Sequence, residues 1–154
     1  MISPPQIVDS PAQPIASIRL NVPKAEIRQV MQPGLEEIMA ALAAQGIQPA
    51  GPWATHHFQK PDERFDFEIC VPVSSPVAPT GRVQPGQLQA TRVARTVYRG
   101  GYEGLGAAWG EFCAWIEKEG LKTAPDLWEF YVKGPESDAD SSQWETQLNQ
   151  PLAT

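Results

Sequence analysis

The stretch Leu88–Gly120 reads LQATRVARTVYRGGYEGLGAAWGEFCAWIEKEG and predicts a strand, a tight turn and a helix in succession. Leu88–Arg99 contains valine, threonine and tyrosine residues, which strands favour, and predicts a strand. Gly100-Gly101 ends that strand, because paired glycines favour a turn. In Tyr102–Glu119 apolar residues recur three and four positions apart, which predicts a helix that ends at Gly120. The apolar face of this helix comprises Leu105, Ala108, Trp109, Phe112 and Ile116.

The segment after this helix predicts two more strands. Asp126–Lys133 reads DLWEFYVK, and Gln143–Leu152 reads QWETQLNQPL; both are rich in the aromatic and apolar residues that strands favour. Gly134–Ser142 lies between them and is an acidic, serine-rich loop. The second half of the chain therefore has the order strand, helix, strand, strand.

The first half of the chain predicts the same order. Ile15–Val22 alternates as a strand, Lys24–Gln45 has helical periodicity, and Pro52–Gln59 and Phe65–Val73 are two further strands. Pro33 interrupts the helical pattern, and we expect it to start the main helix in its first turn.

Local similarities support an internal duplication. Gln45-Gly46-Ile47 matches Glu119-Gly120-Leu121 after each predicted helix, and Val71-Pro72-Val73 matches Gln150-Pro151-Leu152 in each final strand. The alternative is chance similarity between two short halves. With repeats at about 15–75 and 88–152, we expect an α+β fold in which duplicated β-α-β-β repeats form an antiparallel-rich sheet with two helices on one face.

Three segments are expected to lack regular structure. Residues 1–14 contain four prolines and are predicted to be an irregular tail, which leaves 15–154 as a single domain. Residues 61–64 read as a polar turn, and residues 76–87 read as the connection between the halves because they carry several prolines and glycines.

Composition excludes several classes of protein. The chain has 154 residues, enough for one domain with its own core, and a net charge of −6, which disfavours binding to a phosphate backbone. Cys70 and Cys113 are far apart in sequence and are expected to be small buried hydrophobes. We see no signal peptide and no membrane-spanning stretch, so we expect a cytoplasmic protein that does not act at a membrane.

Motifs for metal or cofactor chemistry are missing from the sequence. It contains no glycine-rich phosphate loop and no nucleophile elbow, so we expect no cofactor. Its only histidines, His56 and His57, are neighbours on a predicted strand, where adjacent side chains point to opposite faces. We therefore expect no metal site.

Glu129 is the main candidate for a functional residue. Alternation along its strand puts Glu129 and Tyr131 on one face and Trp128 and Phe130 on the other. If the face with Trp128 packs on the helices, Glu129 looks outward into open sheet or a cleft. Glu129 is then either a solvated strand residue or a carboxylate walled by aromatic rings, which could bind a cation or act as a general base with a raised pKa.

Other residues could contribute to the same site. Glu68 has apolar neighbours in the first repeat and looks comparable to Glu129, although a solvent-facing role explains it equally well. Trp144 starts a strand beside the acidic loop and suits the rim of a site, whereas Trp109 is most simply explained as a core residue on the second helix. Trp53 completes the set of candidate ligand-binding aromatic residues.

The chain resembles the GyrI-like small-molecule-binding family, which also includes the effector-binding domains of bacterial multidrug-responsive transcription regulators. The resemblance spans about Ile15 to Leu152. It is carried by the segments FEICVPV at 67–73, YRGGYEGL at 98–105, LWEFY at 127–131 and WETQLNQPL at 144–152. One departure is Gln147, where family members often carry an acidic residue.

The resemblance implies a duplicated β-α-β-β fold with a ligand cleft between the halves. It implies that Glu129 is the family's ligand-facing glutamate, that Tyr131 and Trp144 line the same cleft, and that Trp109 approaches from the second helix. Sites of this family accept diverse aromatic cations. The regulators' DNA-binding helix-turn-helix has no counterpart in this sequence, so we expect no direct DNA binding.

Three functions are compatible with these observations. The first is binding, sensing or sequestration of a small lipophilic or cationic molecule. The second is hydrolysis of reactive, cyclopropane-bearing toxins, with Glu129 activating the attacking group and Tyr131 as a possible acid. The third is a protein-interaction role, with a transcription regulator or gyrase as the partner.

Overall fold

The computed structural model describes residues 2–59, 63–135 and 137–153. Residues 61 and 62 of the polar turn predicted at 61–64 lie outside the described residues, and Arg64 begins a strand. The chain packs as two compact units, one formed by Pro11–Ala90 and the other by Met1–Ser10 with Thr91–Thr154. We call them the first-repeat unit and the second-repeat unit. The strands and helices are β1 Gln6–Ser10, β2 Gln13–Pro23, α1 Ile27–Gln45, β3 Ala54–His57, β4 Arg64–Pro72, β5 Gln84–Leu88, β6 Thr91–Arg99, α2 Leu105–Lys118, β7 Leu127–Lys133 and β8 Glu145–Pro151.

The first-repeat unit is a four-stranded antiparallel sheet in the order β3-β4-β2-β5. Helix α1 packs against the face that carries Ile18, Phe67 and Ile69, and these side chains form a buried core with Ile38 and Leu42 of the helix. A single stripe of apolar helix residues is thereby removed from water, which is the main term that stabilises such a layer.

The second-repeat unit has the same design. Its four strands have the order β1-β6-β8-β7, with antiparallel pairing throughout. Phe112 and Ile116 of α2 pack against Ala94, Tyr98 and Leu148 on one face of the sheet. The order strand, helix, strand, strand is thus present twice, as β2-α1-β3-β4 and as β6-α2-β7-β8, which confirms the predicted α+β duplication.

Each unit also contains a strand that the sequence pattern did not predict. Strand β1 lies within the predicted irregular tail and pairs with β6, so the prediction of irregular structure through 1–14 is wrong for Gln6–Ser10. Strand β5 lies within the predicted connection and pairs with β2. Each of these two strands lies at the end of its unit's strand order and is mostly exposed. Because exposed edge strands tolerate a proline such as Pro85 and show little hydrophobic alternation, the sequence pattern did not reveal them.

Two predicted boundaries also differ from the structure. The strand predicted over 88–99 is β6, which begins only at Thr91; Leu88 ends β5, and the chain passes from one unit to the other between Ala90 and Thr91. Pro33 lies inside α1 and does not start it. The turns before Pro33 stay helical because Ile27, Val30 and Met31 pack against the core, which offsets the missing backbone hydrogen bond.

Candidate functional site

Strand β7 carries Glu129 and Tyr131 on the face that α2 covers. In register, Glu129 is opposite Leu148 and Tyr131 is opposite Thr146 on β8. Leu148 belongs to the core under α2, so the residues beside it on this face point toward the helix. The suggestion that Trp128 and Phe130 face the helix, with Glu129 looking outward, is therefore wrong. The sequence could not decide this because both faces of β7 carry large apolar side chains.

The Glu129 carboxylate is held by two neutral donors. Trp109 Nε1 of α2 donates to Glu129 Oε2 at 2.5 Å, and the Tyr131 hydroxyl donates to Glu129 Oε1 at 2.7 Å. Only 8% of Glu129 is exposed. Burial raises the pKa of this carboxyl above its usual value, and the hydrogen bonds from Trp109 and Tyr131 oppose that shift. Among the described residues, no lysine, arginine or histidine forms an ion pair with Glu129.

Aromatic rings extend from Glu129 along the same face of the unit. The Tyr102 ring contacts the Tyr131 ring edge-on at 5.8 Å and the Trp144 ring at 4.9 Å, measured between ring centroids. On the other side, the Trp109 ring lies 5.6 Å from Phe112. The Trp144 indole donates to the carbonyl oxygen of Asp138 at 2.8 Å, so a hydrogen bond connects these aromatic rings to the acidic loop. We call Glu129 with Trp109, Tyr131, Tyr102 and Trp144 the Glu129 cluster.

The glycine-rich turn before α2 places Tyr102 in this cluster. Gly100 has a φ of 144°, a conformation that glycine adopts without strain. The Tyr98 hydroxyl donates to the carbonyl oxygen of Gly101 at 2.8 Å and occupies the space where a side chain at Gly104 would lie. The turn therefore packs closely on Tyr98. Sequence reasoning did not assign Tyr102 to the site; the available signal was an aromatic residue directly after two glycines at a helix start.

Four of the six predicted site residues come together in the second-repeat unit: Glu129, Tyr131, Trp109 and Trp144. The other two, Glu68 and Trp53, belong to the first-repeat unit. Trp53 is half-buried and packs against the core under α1. Whether Glu68 and Trp53 contact a ligand stays a prediction.

The strand order also changes the comparison between Glu68 and Glu129. Glu68 lies on β4, which is the counterpart of β8, so the residue that corresponds in position to Glu129 is on β3. With Pro72 matched to Pro151, Thr55 opposite Ile69 corresponds to Glu129 opposite Leu148. Glu68 is on the other face and its Oε2 lies 3.0 Å from Nδ1 of His56. The first repeat therefore has no carboxylate at the position of Glu129.

The two histidines occupy different environments, as adjacent strand residues should. His56 pairs with Glu68, whereas His57 stacks on Phe67 at 5.3 Å between ring centroids. His57 is 8% exposed, and no hydrogen-bond partner of its Nδ1 lies among the described residues. Burial and the neighbouring His56 lower the pKa of His57 to about 4.

The duplicated β-α-β-β fold belongs to a small-molecule-binding class of protein. Residues 3–152 match the model of the GyrI-like small molecule binding domain, and the chain belongs to this family. By sequence, no curated protein is significantly similar to it. The part of the chain that the structure describes contains no helix long and apolar enough to cross a membrane.

Solved structures with the same fold include regulators, a hydrolase and a complex with a cation. The C-terminal domain of EcmrR superposes with a TM-score of 0.87 at 21% identity, over 98% of both chains. In the EcmrR–DNA complex the TM-score is 0.84 at 21% identity, over 99% of this chain, which spans only 58% of the EcmrR chain. SAV2435 bound to tetraphenylphosphonium has a TM-score of 0.66 at 12% identity, with 98% of this chain and 94% of the other covered. A Listeria innocua hydrolase has a TM-score of 0.66 at 13% identity, with 97% and 91% covered.

Proposed function

We propose that this chain binds a small lipophilic or aromatic cation at the Glu129 carboxylate. The observation that carries the proposal is a nearly buried carboxylate that two neutral donors hold and that no basic side chain among the described residues neutralises. A buried charge without a counter-ion is costly, and proteins rarely retain one that has no use. A bound cation would supply the missing charge.

The surrounding residues favour a flat or bulky cation over a metal ion or a small ammonium ion. Each carboxylate oxygen already accepts one hydrogen bond, and the remaining neighbours offer aromatic faces. Such faces attract organic cations through their quadrupole and bury the apolar parts of the ligand. The complex of SAV2435 with tetraphenylphosphonium, a lipophilic cation, supports the same ligand class for a protein of this fold.

Hydrolysis at Glu129 is the alternative. A raised pKa suits a general base, and the Tyr131 hydroxyl lies 2.7 Å from the carboxylate. The hydrogen bonds from Trp109 and Tyr131 lower the basicity of the carboxylate, so we favour binding without turnover. Incubating the protein with a cyclopropane-bearing electrophile and analysing the mixture by mass spectrometry tests this point: an unchanged compound agrees with a binding protein, and a hydrolysed product establishes the enzyme.

Titration with tetraphenylphosphonium, followed by tryptophan fluorescence and by calorimetry, tests the proposal. We expect quenching, because Trp109 and Trp144 belong to the cluster, and an affinity in the micromolar range, about −8 kcal/mol. Glu129→Gln preserves shape and removes the charge. Losing one partner of a desolvated charge pair costs about 2–5 kcal/mol, so the affinity should fall about 30-fold or more.

Glu111→Gln is the matched control. Glu111 is exposed on α2, and its substitution changes the net charge by the same amount. The affinity of the Glu111→Gln variant for tetraphenylphosphonium should equal that of the unsubstituted protein. An equal loss in both variants would show a general electrostatic effect, and unchanged binding in Glu129→Gln would place the site elsewhere.

A further inference from the structure

Thr146 lies at the centre of the aromatic part of the Glu129 cluster. It stands on β8 between Tyr98 of β6 and Tyr131 of β7, which are its partners in register. Trp144 precedes it by two residues, so its side chain extends on the same face of the extended chain. The Tyr102 ring contacts both Tyr131 and Trp144 and therefore lies across the residues that surround Thr146.

The Thr146 hydroxyl is fully buried and has no hydrogen-bond partner among the described residues. Its polar neighbours are all paired within the protein. The hydroxyl of Tyr98 donates to Gly101, the hydroxyl of Tyr131 donates to Glu129, and the indole of Trp144 donates to Asp138. A buried hydroxyl without a partner has lost its hydrogen bonds to water and gained none in return, so it destabilises the folded protein. Valine would fill the same space without that cost.

We propose that the Thr146 hydroxyl is a second polar contact for the ligand, and that the ligand is a cation that carries a hydrogen-bonding substituent. This inference rests on the proposed function of Glu129. Glu129 is opposite Leu148, two residues from Thr146, and such diagonal neighbours are about 7–8 Å apart. An amino, hydroxyl or carbonyl group at roughly that distance from the cationic centre would reach Thr146 while the charge lies at Glu129.

The ligand must displace an aromatic ring to make this contact. Tyr102 is half-buried and belongs to the short 3-10 turn Tyr102–Gly104 ahead of α2, whereas Tyr98 and Tyr131 are buried in strands. In this proposal the Tyr102 ring moves away from Tyr131 and Trp144 and uncovers Thr146. The Thr146 hydroxyl then forms the floor of the site and can donate or accept a hydrogen bond.

Two probes that differ only in hydrogen-bonding groups test the inference. Ethidium carries two aromatic amino groups, and 5-ethyl-6-phenylphenanthridinium has the same charged ring system without them. Thr146→Val should weaken ethidium binding by about three- to tenfold, the equivalent of one hydrogen bond, and leave the affinity for the amino-free cation unchanged. Thr146→Ser retains the hydroxyl and should keep the preference for ethidium.

The outcomes separate this inference from the proposed function. If Thr146→Val lowers the affinity for both probes equally, or for neither, Thr146 makes no hydrogen bond to the ligand and the inference is overturned. Glu129→Gln should lower the affinity for both probes, because both are cations. If it lowers the affinity for neither, the proposed function fails as well. The melting temperature of Thr146→Val should equal or exceed that of the unsubstituted protein, so a loss of ethidium binding cannot be attributed to unfolding.

Discussion

At the scale of single residues, Glu129 and His57 are two buried titratable groups whose pKa values burial shifts in opposite directions. Burial raises the pKa of Glu129 and lowers the pKa of His57 to about 4. Glu129 retains two hydrogen bonds and faces α2, whereas His57 stacks on Phe67 in the core under α1. The same physical cause therefore has opposite consequences for stability as the pH changes.

For Glu129 the folded state binds the proton more tightly than the unfolded state. The stability that this group contributes is present below the unfolded pKa of about 4.5 and is lost as the pH rises through the raised folded pKa. Glu129→Gln lacks this dependence. We therefore expect the stability of Glu129→Gln, relative to the unsubstituted protein, to increase as the pH is raised from 4 to 7 in chemical denaturation without ligand. A difference that stays constant over this range would contradict the raised pKa.

Cation binding should depend on the same proton. Protonation neutralises the carboxylate that we propose as the counter-ion, so the affinity for tetraphenylphosphonium should increase as the pH rises through the pKa of Glu129. Titrations between pH 4 and 8 measure this change. Glu129→Gln is the control and should bind weakly with no such pH dependence.

For His57 the sign is reversed. Its pKa of about 4 in the folded state lies below the ordinary value of 6.5, so stability is fully present above pH 6.5 and decreases as the pH falls to 4. The difference between these two pKa values corresponds to roughly 3 kcal/mol of unfolding free energy. His57→Phe should lose this part of the acid sensitivity. Denaturation curves at pH 7, 5.5 and 4 measure this difference. If stability falls equally in both proteins, His57 is not the cause of the acid sensitivity.

At the scale of secondary-structure elements, the two helices carry glycines in contrasting environments. Gly34 of α1 is buried and faces Ile69, whose side chain occupies the space that a Cβ would need. Gly110 of α2 is exposed, and a Cβ there would meet open space. The close approach in α1 lets Ile38 and Leu42 fill the core, whereas α2 carries Trp109 toward Glu129.

This difference predicts opposite effects of two glycine substitutions. Gly34→Leu should destabilise the protein by about 1–3 kcal/mol, because the added side chain overpacks the core against Ile69. Gly110→Ala should stabilise it by up to about 1 kcal/mol, since alanine favours the helix and meets no neighbouring atom. Thermal denaturation of both variants measures the effects. If Gly34→Leu is tolerated, α1 can shift away from its sheet.

At the scale of the whole molecule, each repeat obtains one strand from outside its own β-α-β-β segment. Strand β1 comes from the start of the sequence and completes the second-repeat unit by pairing with β6. Ser3 adds to this pairing, because its backbone and side chain both bond to Thr96 and Val97. The N-terminal segment is therefore part of the unit that contains Glu129.

Deleting residues 1–10 should consequently affect the second-repeat unit. Loss of β1 leaves β6 as an exposed edge with unpaired backbone groups, so we expect a lower melting temperature and faster hydrogen exchange along β6. Ile7→Thr is the control: its side chain is 43% exposed and threonine also favours strands, so neither quantity should change. Unchanged exchange along β6 in the truncated protein would mean that β1 contributes little.

The sequence by itself determined the repeated order of strands and helices, because hydrophobic periodicity and glycines at helix ends depend on neighbours along the chain. It also predicted Glu129, Tyr131, Trp109 and Trp144 as site residues, partly through the resemblance of their motifs to a family. The tertiary structure decided which face of β7 meets α2, where β1 and β5 pair, that Tyr102 belongs to the Glu129 cluster, and that Thr146 lies beside this cluster. These features depend on pairing between distant strands, and local periodicity carries no information about such partners.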